Sequence, residues 1–83
     1  MNIQLIQGTF NDSDTLDLIT QMIQIKIKYH ENKINANATE EDIKNREAKI
    51  KTLQNELNEL RGFIISHNKK INVEAIIKIE SNE

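Results

Sequence analysis

The sequence predicts an α+β fold that is mostly α: a β-α-α-β chain with a long, coiled-coil-like antiparallel helical hairpin and short terminal strands pairing antiparallel. Three observations carry this expectation. Ile and Leu recur at heptad spacing from Ile43 to Ile64. Two long stretches each open on a capping residue followed by acids, at Asn11 and at Thr39. Apolar residues alternate with polar ones near both ends of the chain.

The first strand is expected over residues 2–7, where Ile3 and Leu5 alternate with polar neighbours and Gly8 supplies a stop. Helix one is expected over 12–34. Asn11 is its N-cap, and Asp14 falls where a carboxylate can return to the cap amide. No Gly or Pro interrupts the stretch. At about 100° per residue, Leu16, Ile19, Ile23, Ile27, His30 and Ile34 form one stripe, while Leu18, Met22, Ile25 and Tyr29 form a second, roughly opposite. A helix apolar on two sides calls for two layers of cover, and a second helix supplies one. The competing reading is a strand over 22–30, since Ile23, Ile25, Ile27 and Tyr29 also alternate with polar residues. The length of the capped stretch favours helix.

Residues 35–39 are a connector of the length usual between antiparallel helices. Helix two is expected over 40–67, with Thr39 as cap, Asp42 closing the box, and Glu40, Glu41 and Asp42 on the positive end of its dipole. Ile43, Ile50, Leu57 and Ile64 take a positions and Leu53 and Leu60 take d positions; Arg46 interrupts the first d position and His67 falls at the last. This seam is expected to face Leu16, Ile19, Ile23 and Ile27 of helix one. Gly62 lies on the solvent side, and Asn68 is the expected C-cap with Lys69 and Lys70 complementing the dipole. The alternative ends the helix at Gly62 and starts a hairpin at Phe63–Ser66. The last strand is expected over 71–79, with Ile71, Val73, Ala75, Ile77 and Ile79 on one face and Ile76 breaking the polar alternation of the other.

Eighty-three residues bound the chain to one domain with a modest core. There is no cysteine for disulfides or thiolate metal sites. A chain this small without such staples is expected to gain stability by associating, most simply as a homodimer. A net charge of -2 with interspersed acids and bases disfavours a general nucleic-acid binder. The longest apolar run, Phe63-Ile64-Ile65, is far short of a membrane span, and Met1-Asn2-Ile3-Gln4 has no signal-peptide character. A cytoplasmic home is the simplest expectation. Ile, Asn and Lys make up 35 of the 83 residues; all three have A/T-rich codons, so the bias reads as base composition rather than function.

Motifs that carry chemistry fail one by one. His30-Glu31 begins a zinc-protease pattern, but Ile34 stands where the second histidine is needed. Asp12-Ser13-Asp14 begins a calcium loop, but Asp17 replaces its glycine and Ile23 its bidentate acid. Gly8 and Gly62 are isolated, so there is no phosphate loop. His30 and His67 fall at opposite ends of an antiparallel hairpin and suit its stripe margins. No catalytic, cofactor-binding or metal-ligating residue is therefore assigned. The order strand-helix-helix resembles that of ribbon-helix-helix repressors, in the order of elements alone. Those proteins use shorter helices and a basic ribbon, whereas strand one here offers Gln4 and no Arg or Lys. The expectation is a non-enzymatic, homo-oligomeric protein-interaction or scaffold module, with Leu18, Met22, Ile25 and Tyr29 as the candidate interface to a second copy or to another protein. A small nucleic-acid-associated regulator, antitoxin-like or ribbon-helix-helix-like, is the alternative, with Lys26, Lys28, Lys33, Lys44, Lys49 and Lys51 as its basic side.

Overall fold

The computed structural model describes residues 1–66 and 70–82. It is the β-α-α-β arrangement: β1 (Asn2–Phe10), α1 (Asp12–Lys33), α2 (Glu40–Ser66) and β2 (Ile71–Lys78), with β1 and β2 paired antiparallel. Residues 22–30 and 63–66 are helical, so neither strand alternative is realised. The expected end of α2 at His67, its cap at Asn68 and Lys69 lie outside the described residues.

Both helix starts use the signals the sequence offers. Asn11, in an extended conformation, accepts from the Asp14 amide at 2.7 Å through Oδ1. Thr39 accepts from the Asp42 amide at 3.1 Å through Oγ1. Each cap satisfies one of the amides a helix start leaves free. Neither acid returns its carboxylate to the cap amide among the described residues, so each expected capping box is half made. α1 ends at Lys33 because Ile34 turns extended, its amide donating back to the Glu31 carbonyl at 3.1 Å. The connector then folds on Asn35, whose Oδ1 accepts from Asn37 N and whose carbonyl accepts from Ala38 N.

The first strand departs from expectation at two points. It runs through Gly8 to Phe10, because Gly8 pairs with Val73 and the ladder continues to Phe10 opposite Ile71. Its inward residue beside Ile3 is Ile6, not Leu5. The register runs Ile3–Ile77 and Gln4–Ile76, then resumes at Ile6–Ala75, leaving Leu5 as one extra residue. Simple alternation would put Ile3 and Ile6 on opposite faces; the bulge puts both on the Ala75–Ile77 face. Ile6 is accordingly buried, while Leu5 is about half exposed (48%). β2 itself is regular and ends at Lys78, one residue short of its expected limit, although Ile79 still exchanges both backbone bonds with Met1 at 2.7 and 2.8 Å.

The two helices pack on each other and the two strands on each other, while contact between the pairs is sparse and comes mainly from α1 against β2. The result is a flat molecule, 46 × 32 × 13 Å across its Cα atoms. The buried apolar side chains among the described residues are Ile6, Leu57 and Ile64. Thr15, in the first turn of α1, is also buried, and its hydroxyl donates to the Asn11 carbonyl at 2.8 Å. That bond lets a polar side chain sit inside without an orphaned donor.

Candidate functional site

The residues expected in the seam are all at least half-buried. Leu57 and Ile64 are buried, and Ile43, Ile50, Leu53 and Leu60 of α2, with Leu16, Ile19, Ile23 and Ile27 of α1, are half-buried. The second stripe is left outward. Ile25 is 71% exposed, Tyr29 and Leu18 are exposed, and Met22 is half-buried. Leu18 lines an open cleft with Phe10, Asp14, Asp17 and Gln21 where β1 hands over to α1.

The sequence leaves one arrangement unread. His30, on the seam stripe of α1, and Arg46, the residue that breaks the heptad of α2, meet across the hairpin: Arg46 Nη1 lies 3.0 Å from His30 Nδ1. A guanidinium can only donate, so Nδ1 accepts and the neutral ring carries its proton on Nε2. That Nε2 is buried and has no hydrogen-bond partner, and Thr20 Oγ1 on the same helix shares this condition. His30 as a whole is buried. Burial first, and then the positive charges of Arg46, Lys49 and Lys26, hold its pKa below the ordinary imidazole value. The ring stays neutral at physiological pH.

Tyr29 completes the cluster. Its ring packs edge-on against His30 with centroids 5.5 Å apart. The Lys33 ammonium lies 5.6 Å and the Arg46 guanidinium 5.8 Å from its centroid, both within cation–π range. Beside it runs an open groove of about 400 Å³ lined by Lys26, His30, Ala48, Lys49, Thr52, Leu53 and Glu56. Lys26, Lys33 and Lys49, all among the expected basic residues, are thereby gathered with Arg46 near the connector end of the hairpin. Lys44 turns away to pair with Glu40 one helical turn back, at 3.8 Å. The sequence signal for the cluster is two polar residues at seam positions, His30 and Arg46, a few residues either side of one connector.

No group of three or more metal-ligating side chains converges among the described residues. No helix there is long and apolar enough to cross a membrane. Compared with protein-family models, curated proteins and solved structures, the chain matches none of them.

Proposed function

We propose that this protein is a self-associating interaction module without enzymatic activity of its own, working as a homodimer or a higher assembly of the same chain. The observation that supports it most is the thinness of the molecule: a slab 13 Å deep that leaves Ile25, Ile65 and Ile76 each more than half exposed. Apolar side chains spread over both the helices and the ribbon have nothing among the described residues to cover them. Large exposed apolar patches mark association surfaces, and association is the staple open to a small chain that has no cysteine. The outer stripe of α1, Leu18, Met22, Ile25 and Tyr29, is then a surface for a further protein or for the second copy. Size exclusion coupled to light scattering at micromolar concentration tests this reading. The expected mass is at least twice 9.6 kDa. A clean monomer that unfolds cooperatively would contradict it.

The cluster around Tyr29 supports a second reading. Lys26, Lys33, Arg46 and Lys49 beside a half-exposed aromatic ring form a small basic corner that suits a phosphate backbone. Against it stand the net charge of -2 and Glu56 in the same groove. A chain so nearly neutral releases few counterions and binds duplex DNA weakly and without sequence preference. Nanomolar, sequence-dependent retention at about 150 mM salt would reverse the order of the two readings.

A further inference from the structure

We infer that the free edge of β2 pairs antiparallel with the same edge of a second copy, centred on Ile76, to give one four-stranded sheet in the order β1-β2-β2-β1. This deepens the proposed self-association and rests on it.

The inference starts from the direction of the backbone groups. Met1 and Ile79 exchange both of their hydrogen bonds, so they form a hydrogen-bonded pair of the ribbon. In an antiparallel ladder such pairs alternate with pairs whose amides and carbonyls point outward. Along β2 the outward residues are therefore Lys78, Ile76, Glu74 and Asn72. The free edge is a row of four unsatisfied donor–acceptor sets, uninterrupted by proline or bulge. β1 differs, because the extra residue at Leu5 breaks the regularity of its edge. Bulges are one of the ways a strand edge is kept from pairing. β2 has no such protection.

Charge then selects the register. Two copies of one strand pair antiparallel about a twofold axis, so each residue opposes a fixed partner and the pattern repeats on both sides. Centring on Glu74 or on Lys78 sets like charges against each other. Centring on Ile77 sets Glu74 against the partner's Glu80, and centring on Ala75 leaves Glu74 against the partner's Ile76. Centring on Ile76 sets Glu74 against the partner's Lys78 and Lys78 against the partner's Glu74, two complementary pairs. It also places Ile76 against the partner's Ile76. On the other face it brings Val73 and Ala75 against the partner's Ile79 and Ile77, which are 48% and 41% exposed. This register accounts for Ile76 itself, the apolar residue that interrupts the polar face and stands 56% exposed opposite Gln4 in the single chain. Lys78 already contacts Glu80 of its own chain at 3.0 Å, a solvent-exposed pair of small consequence that leaves it free to reach across the edge.

Charge reversal tests the register. Within one chain Glu74 faces Gln7 and Lys78 faces Asn2, so the two charges have no reason to depend on each other. Glu74→Lys alone and Lys78→Glu alone each turn two attractions into two repulsions across the axis. Either change is expected to raise the dimer dissociation constant about tenfold to a hundredfold by sedimentation equilibrium. The double variant Glu74→Lys/Lys78→Glu is expected to return to within about threefold of the original. Ile76→Pro supplies an independent arm, since it removes an amide that points away from β1 and spares the ribbon. It is expected to give a folded chain, by circular dichroism, with self-association lost. Single reversals that leave the dissociation constant unchanged, or a double variant no better than the worse single, would overturn the edge pairing while leaving self-association standing. An unmodified chain that stays monomeric throughout would overturn both.

Discussion

The two ends of the helical hairpin are built from different chemistry. Toward the end where α1 begins and α2 finishes lie the buried aliphatic side chains of the helical pair, Leu57 and Ile64, with Thr15 buried nearby in the first turn of α1. Near the connector the seam is polar, with His30 and Arg46 joined across it and Tyr29 capping one side. The apolar end supplies the driving force, because water is excluded from aliphatic surface there whatever the fine alignment. The polar end supplies the alignment. If α1 slid one turn past α2, His30 Nδ1 would lose its donor and Arg46 would be left against the seam without an acceptor. Aliphatic burial and polar alignment are thus assigned to separate regions.

The largest effect is expected at the apolar end. Leu57→Ala removes one of the few buried aliphatic side chains and leaves a cavity, costing about 2–5 kcal/mol. Chemical denaturation checks this, and a shift no larger than that of a surface variant would mean the seam is not the source of stability.

At the polar end the expected effect is smaller and depends on pH. The folded ring of His30 has a pKa below that of the unfolded chain, so the unfolded state takes up its proton first as the pH falls. Stability is complete above the ordinary imidazole value of about 6.5, declines below it, and levels off once the folded ring is protonated too. Arg46→Leu removes one positive neighbour but not the burial, so the decline is expected to shrink without vanishing. Denaturation midpoints across that window, with the His30 ring followed by NMR, would show it. An unchanged profile would separate His30 from Arg46 energetically and break the contrast between the two ends.

The smallest effect is expected for Asn55→Ala on the exposed side of α2, where alanine is neutral or slightly favourable to the helix. A loss comparable to that of Leu57→Ala would mean that this face of α2 is covered in solution.

Much of this was legible in the sequence, because periodicity and capping are local properties. The heptad Ile and Leu of α2 include its two buried aliphatic side chains, Leu57 and Ile64, and Asn11 and Thr39 mark the helix starts that the structure uses. What was not legible depends on alignment between distant segments. Nothing near Leu5 announces a bulge; it arises because Ile3 and Ile6 must share a face against a regular β2. Gly8 reads as a stop, yet the ladder passes through it since Val73 supplies its partner. His30 and Arg46 were each visible as polar residues at seam positions, but their meeting depends on how the hairpin aligns the two helices. The outer stripe of α1 was legible as apolar, but not that Ile25 stays largely exposed while Tyr29 meets His30 and Arg46.

In the proposed self-association, the single chain is an unfinished surface completed by another copy. The dependence of its thermal midpoint on protein concentration tests this most directly, since a species stabilised by association melts higher when concentrated. The midpoint is expected to rise steadily over about a hundredfold range of concentration, together with a dimeric or larger mass before melting. A midpoint that stays constant over that range, with a monomeric mass and a single cooperative transition, would contradict it.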